Sequence, residues 1–572
     1  MTNKEIGKTL YQIAKILELQ NSADRFRIVA YERAAQTVEN HPDELIDVYR
    51  KGGIKELECI PGVGKSIAEK IEELLRTGKL KYLAEIQKNV PVSEVEFLKI
   101  PGIGPKTAIK IAKELKAKNI DDLKKKLEEG RANDLFEEKT RNNILRGIEI
   151  LNKLTGRMLI TDALPIAEDF TNRIKKIEGV KYANFVGSLR RMKETIGDID
   201  IVAATSDPKK VINEFTKFAG VSQVISQGES KSTIIHEAGC QIDLEIVKDV
   251  EYGSLLQHFT GSKEHNVALR TYAQTKNLSV SEHGVKSKRK LETFKTEKEL
   301  YNFLGMDFIE PELRENLGEI QVALNHKLPE LIELKDIKGD LHVHSNWSDG
   351  NMTISEIARA AEKLGYEYIV ISDHTVGLGI AGGLDEKDLE KRQREIENVQ
   401  KAHPKLKILS SVEVNITASG DLDIKDWMLE KLDIVTASIH TSFFQPKEVM
   451  TKRILKAVEH PHVDIIGHPS GRIIGRREPY EVDWPLVFKA CAKEGTALEI
   501  SAFPDRLDLR DVLCKEAKSY GVKFAINTDS HQPNHLDLMR FGVAVARRGW
   551  LTRSDVINAK STQDILAWAK CS

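Results

Sequence analysis

Cysteine is scarce: the 572 residues hold five (Cys59, Cys240, Cys491, Cys514 and Cys571) and no CxxC pair. That excludes a disulfide framework and a zinc ribbon, and it points to a reducing, cytoplasmic compartment. No apolar run reaches the ~18–20 residues needed to span a bilayer. The charge-interrupted start MTNKEIGKTLYQIAKILELQ reads as an amphipathic helix, not a secretory h-region. No membrane partner is expected. Net charge is almost absent, at -1 from 86 basic and 87 acidic side chains. No global field announces a polyanion, so any nucleic-acid contact must rest on local basic patches. Low-complexity segments are also missing. What is left, 41% hydrophobic and 30% charged residues, suits a globular chain with several domains.

Residues 1 to about 155 read as nearly all helix, with apolar positions at three- and four-residue spacing such as Ile67, Ile71 and Leu74. One motif repeats. Ile60-Pro61-Gly62-Val63-Gly64-Lys65 returns as Ile100-Pro101-Gly102-Ile103-Gly104-Pro105-Lys106, each copy followed by a helical pattern. A Gly-x-Gly turn lets backbone N–H groups approach an anion without Cβ obstruction, and the following helix N-terminus adds partial positive charge. Gly62, Gly64, Lys65, Gly102, Gly104 and Lys106 are therefore candidate contacts to DNA phosphate. A plain hairpin needing glycine for its turn explains a single copy equally well; two copies favour DNA binding. Residues 81–160 carry 17 basic and 12 acidic side chains, in mild agreement.

From residue 158 short β-rich runs alternate with helix. Gly187-Ser188-Leu189-Arg190-Arg191 precedes Gly197-Asp198-Ile199-Asp200, and a later strand pattern holds Asp243. In a strand, residues i and i+2 share a face, so Asp198 and Asp200 project together. Adjacent carboxylates repel unless an arginine or a divalent cation intervenes. Mg²⁺ suits an all-oxygen donor set. Three carboxylates with a Gly-Ser turn are the parts of two-metal phosphoryl transfer, and Arg191 would clamp the triphosphate with Gly187 and Ser188.

After Gly339 short strands alternate with helices, and strand ends repeatedly carry His, Asp or Glu, as a β/α barrel presents a site. His342 and His344 share a strand face, and Asp349, His374, Glu413, His440, His468, Asp529 and His531 follow. Imidazole with carboxylate suits Zn²⁺, Mn²⁺ or Fe²⁺. Arg472, Arg476 and Arg477 are either DNA contacts or solvated loop charges.

These motifs resemble two known families. Residues 1 to about 315 resemble the family X DNA polymerases, which include DNA polymerase beta. The resemblance rests on GSLRR, GDID, Asp243, the run Phe259-Thr260-Gly261-Ser262 and the two helix-hairpin-helix repeats. It implies templated addition of deoxynucleotides in short gaps, as in base excision repair, with two Mg²⁺ ions at Asp198, Asp200 and Asp243. It further implies that His258, Phe259, Gly261, Ser262, Lys263 and Asn266 surround the nucleotide and that Arg270 meets DNA. His258 stands where polymerase beta has tyrosine, which touches ribonucleotide exclusion. Lys263 stands for an aspartate, which adds positive charge for metal-independent nucleotide binding. Lys70 matches the family's Schiff-base lysine for removing a 5′-deoxyribose phosphate, although Ser66 replaces a basic residue of that pattern; an ordinary helix lysine is the alternative.

Residues from about 337 resemble a PHP (polymerase and histidinol phosphatase) domain. That resemblance implies a distorted (β/α)7 barrel holding up to three Mn²⁺ or Zn²⁺ ions on the nine residues above, and a metal-dependent 3′-5′ exonuclease, with 3′-end cleaning or abasic-site incision as related activities. The expected order is an 8-kDa-like helical domain (1–80), helical fingers (81–157), an α+β nucleotidyltransferase palm (158–250), a thumb-like subdomain (251–317), a linker (318–337) and the PHP barrel (338–572). The expected partners of this monomer are gapped or primed DNA and deoxynucleoside triphosphates. Rival readings are a template-independent nucleotidyltransferase, and a PHP half that is a phosphatase or a structural module.

Overall fold

Amphipathic periodicity gives helices through the first 155 residues of this computed structural model, which describes all residues except 2, 20–24, 40, 42–43, 61, 89–95, 99, 101–102, 155, 289, 378–381 and 570–572. The chain divides into two compact units. The first is Met1–Thr155 with Ile473–Glu478 and Gln532–Asn534, and the second is the remainder. In the first unit one hydrophobic core runs from Ile6 through Ile67, Ile71 and Leu74 to Ile148. Among the described residues, no helix is long and apolar enough to cross a membrane.

Two helices of this unit follow the repeated turns. Helix α1 (Lys65–Thr77) begins after Gly64 and ends on the left-handed Gly78; α2 (Pro105–Lys113) begins after Gly104, with proline pre-set for the first turn.

The second unit starts with a five-stranded sheet. Its strands are β1 (Val180–Phe185), β2 (Asp198–Thr205), β3 (Val221–Gln227), β4 (Lys231–His236) and β5 (Gln241–Val247), in the order β1-β2-β5-β4-β3. Only the β2–β5 pair is parallel. Strand β1 stops at Phe185, and Gly187, at φ +62°, turns the chain into the short helix α3 (Gly187–Arg190). Ile199 and Ile201 face the core while Asp198 and Asp200 take the other face. Helix α4 (Tyr252–Thr260) covers the sheet through Tyr252, Leu255 and Leu256 against Val202 and Val247. Helix α5 (Lys263–Thr275) and a three-stranded sheet within 279–292 follow, around Leu269, Val285 and Leu300. The strands of that sheet are two or three residues long, too short to show alternation in the sequence.

The third part is a parallel barrel in strict chain order: β6 (Gly339–Val343), β7 (Tyr368–Ile371), β8 (Lys407–Asn415), β9 (Ile434–Ser438), β10 (Ile465–Ile466), β11 (Ala497–Ser501) and β12 (Phe524–Asn527). A bridge between Val343 and Ser530 brings the last strand's exit back to the first. The strand-end pattern pointed to a β/α barrel, and the count of seven is the one the PHP resemblance implies. Both faces are buried: Tyr368 and Val370 pack in one cluster, Ile369 and Ile371 in the other. Hence the strands read as continuous apolar runs.

Candidate active sites

The first site is made by strand register. In the parallel β2–β5 ladder Asp200 lies opposite Asp243. Asp198, Asp200 and Asp243 offer oxygens within 4.8 Å of one another. Asp243 is aimed by Thr233 Oγ1 (2.5 Å) and Gln241 Nε2 (2.7 Å), which donate to its two oxygens. Burial, then the charges of Asp198 and Asp243, pushes the Asp200 carboxyl up to about 7. A divalent cation would relieve that repulsion, and the oxygen donors fit Mg²⁺. Gly187 is required where it stands, because a Cβ there would collide with Asp200 Oδ2.

The Gly187–Arg191 segment and the 258–266 turn meet beside these carboxylates. Arg191 Nε donates to Glu315 (3.0 Å) and Nη1 to the Thr260 carbonyl (2.5 Å). Gly261 packs against the same guanidinium: a Cβ there would stand 3.1 Å from Nη1. Ser262 caps α5 by accepting from His265 N–H. Asn266 is buried and committed. Its Nδ2 donates to the His258 carbonyl (2.7 Å), and its Oδ1 accepts from Gln257 (2.8 Å). Here it holds the turn that presents His258 and Phe259. Burial lowers the His258 pKa, with Glu282 opposing. Lys263 and Arg270 are exposed on α5. Ser188 is half-buried at the start of α3.

In the first unit, Gly62 takes φ +80°, and a Cβ at Gly64 or Gly104 would meet nothing within 4 Å. The backbone at both helix starts is thus open to a ligand, and Lys65 and Lys106 are exposed beside it. Gly102 lies outside the described residues. Lys70 donates to the carbonyl (2.9 Å) and hydroxyl (3.0 Å) of Ser66 and sits 4.8 Å from the Tyr82 ring centre. Arg27 donates to the Tyr82 hydroxyl (2.7 Å). Burial, then the Arg27 charge, lowers the Lys70 pKa.

The barrel gathers the histidine set. His344, Asp349, His374 and His531 form one potential ligand group, His342, His344 and Asp529 a second, and His374, Glu413 and His440 a third. His468 stands outside these groups with Nε2 2.9 Å from Glu413 Oε1. His344 and His374 are each shared by two groups, so three adjacent cation positions are available. Buried ring nitrogens of His342 (Nε2), His344 (both) and His374 (Nδ1) have no hydrogen-bond partner. Carboxylate oxygens lie 3.0–3.9 Å from them without hydrogen-bond direction. Buried polar atoms left in this way need a ligand, and nitrogen with carboxylate donors fits Mn²⁺ or Zn²⁺.

Three family models match this chain by region: a helix-hairpin-helix domain over residues 1–80, the DNA polymerase beta thumb over 255–315 and the PHP domain over 340–502. A tandem helix-hairpin-helix model also matches 54–118 and 94–130. The DNA polymerase/3′-5′ exonuclease PolX of Bacillus subtilis (strain 168) is 37% identical over 576 residues, covering 100% of both chains. The chain belongs to the family X DNA polymerases that carry a C-terminal PHP domain. Probable phosphatases of Thermoanaerobacter sp. (strain X514) and Caldanaerobacter subterraneus are each 34% identical, over 38% and 34% of this chain and 89% and 75% of their own lengths.

Within this polymerase the barrel has a supporting layer that sequence reading missed. Glu499, on β11, accepts from His342 Nδ1 (2.8 Å), Asn527 Nδ2 (2.9 Å) and the His468 N–H (2.5 Å). Asn415 Oδ1 accepts from His440 Nδ1 (2.6 Å), and the Asp529 carbonyl from His531 Nδ1 (2.8 Å). Each fixes one ring nitrogen and leaves the other for a cation. Arg506 stands beside the site, Nε 3.7 Å from Asp529, with Nη1 buried and unpartnered. Asn and Glu in apolar strands carry no spacing signal, and Glu499 stands in the middle of the apolar strand β11 (Ala497–Ser501), so nothing in the pattern singled it out. Arg472 is a correction: it is buried, donating to Glu194 (2.7 Å) and the Leu507 carbonyl (2.5 Å), so it is no free DNA contact.

Proposed function

We propose that this chain is a DNA repair polymerase that adds deoxynucleotides to 3′ ends in short templated gaps and trims 3′ ends with its barrel. The observation that carries the first half is the Asp200–Asp243 register with Asp198 alongside and the Gly187–Arg191 segment packed over it. Two Mg²⁺ held by Asp198, Asp200 and Asp243 would supply Lewis-acid activation of the primer hydroxyl and charge neutralisation on the triphosphate. Ser188, Arg191 and the N–H groups of the glycine turn bind phosphate oxygens. His258, Phe259 and Lys263 border the sugar and base, and Arg270 follows on α5 toward DNA. The two hairpins grip backbone phosphate on either side of the gap, without reading sequence.

The barrel reading rests on its converging donors and on the full-length similarity to a polymerase/3′-5′ exonuclease. Mn²⁺ or Zn²⁺, up to three ions, would supply Lewis-acid chemistry at a phosphodiester. Arg506 faces the same space and suits a phosphate oxygen. The phosphatase relatives favour a second reading, hydrolysis of a phosphate monoester by the same residues. One gapped duplex with a 3′ mismatch separates them: trimming followed by extension supports the exonuclease, and hydrolysis of a monoester with an untouched mismatch supports the phosphatase.

A further inference from the structure

A buried ionic chain runs from the barrel into the nucleotide-binding segment of the palm. Arg548 closes helix α6 (Met539–Arg548), a barrel helix far along the chain from the palm motifs. Its Nη1 donates to the backbone carbonyl of Arg191 (2.7 Å) and to Glu315 Oε1 (3.1 Å), and its Nη2 to Asp511 (2.5 Å). Glu315 Oε1 is also the acceptor of Arg191 Nε. One carboxylate oxygen is therefore shared by the barrel arginine and the palm arginine. The Arg548 side chain is 4% exposed and that of Arg191 11%. Lys193 stands 3.6 Å from the other oxygen of Glu315.

The geometry fixes Arg191 at two ends. Its carbonyl is tied to Arg548, and its guanidinium edge is tied to Glu315 and Thr260. Such a bond pattern leaves Nη2 for a phosphate oxygen. Arg548 also shares the negative charge of Glu315, so Glu315 orients Arg191 without neutralising it alone. Asp511 opens a second barrel helix (Asp511–Ser519), so Arg548 is set by the barrel before it meets the palm.

We propose that Arg548 is a positioning residue for polymerisation, holding Arg191 ready for the triphosphate, so that the barrel is a working part of the polymerase site independently of its own metals. This rests on the reading of Arg191 as a triphosphate ligand. It makes one cross-domain demand: loss of Arg548 must weaken deoxynucleotide binding while leaving trimming intact.

Single-nucleotide gap filling by the full chain tests it, with deoxynucleotide KM and kcat measured separately and trimming of single-stranded DNA as the second readout. Arg548→Ala should raise the nucleotide KM about tenfold, with kcat changed less than about threefold. Arg548→Lys should recover part of the loss, and Arg191→Ala with Arg548→Ala should be no worse in KM than Arg191→Ala alone. Trimming should stay at the wild-type rate. If Arg191→Ala raises KM and Arg548→Ala does not, the inference falls and the Arg191 reading stands. If neither raises KM, the Arg191 reading itself falls. Equal losses in gap filling and trimming would mark Arg548 as merely structural and overturn the inference. Should Arg548→Ala fail to fold, Asp511→Asn removes the anchor and keeps the arginine; an unchanged nucleotide KM in that folded variant overturns the inference too.

Discussion

Asp200 and Asp243 face each other across the one parallel pairing of the five-stranded sheet, and the like-charged Asp198 lies within 4.8 Å of both. Their separation from the barrel's histidine groups in the chain makes the two reactions separable by mutation. Asp198→Ala with Asp200→Ala should lower gap filling by roughly 10³-fold or more, since a metal clamp supplies several kcal/mol. Trimming should persist. His342→Ala with His344→Ala should give the converse. Both are read on one gapped duplex; a pair that removes both activities from folded protein contradicts two independent sites.

The Asp200 carboxyl gives a pH prediction for metal-free protein. Its folded value, about 7, lies above the unfolded one, so it binds its proton more tightly when folded. Its contribution to stability is complete below the unfolded value and is lost as pH rises toward 7. Asp200→Asn should therefore be more stable than wild type at pH 8 in chelator, by roughly 1–4 kcal/mol, with little difference at pH 4. Adding Mg²⁺ should stabilise wild type and not the variant. Chemical denaturation at the two pH values, with and without Mg²⁺, measures this; identical curves at pH 8 in chelator would falsify it.

Glu499 makes no claim on a cation, yet it sets the ring of His342 and the backbone of His468. Glu499→Gln should weaken Mn²⁺ binding about 10- to 100-fold and lower trimming at limiting Mn²⁺. Excess Mn²⁺ should restore part of the rate, and gap filling should not change. Titration calorimetry with Mn²⁺ decides; unaltered affinity would remove Glu499 from the supporting layer.

Lys70 lies between Ser66, the Tyr82 ring and the Arg27 charge, with its pKa lowered by burial and Arg27. We propose that it forms a Schiff base with a 5′-deoxyribose phosphate. Borohydride should trap the protein on such a substrate, Lys70→Ala should lose at least about 90% of the adduct, and Arg27→Ala should slow trapping at neutral pH by a few-fold through a higher Lys70 pKa. Undiminished trapping in Lys70→Ala would assign the chemistry to another amine.

The sequence by itself determined the inventory. The nine histidine and carboxylate positions of the barrel, the Asp198-x-Asp200 pair and the twin glycine turns were legible because strand alternation and helix spacing are local, repeating every two or 3.6 residues. The apolar runs bounded by His, Asp or Glu likewise announced a barrel. What only the tertiary structure decided is which distant residues share an atom's reach. The placing of Asp243 against Asp200 depends on pairing strands 43 positions apart. Glu499 is tied to His342 over 157 positions, and Arg548 to Arg191 over 357. Asn266, read as a nucleotide contact, is in this fold bonded to the His258 carbonyl and Gln257. Such hydrogen bonds leave no period in the sequence, because they arise where separate elements pack and buried polar groups must find partners wherever the fold brings them.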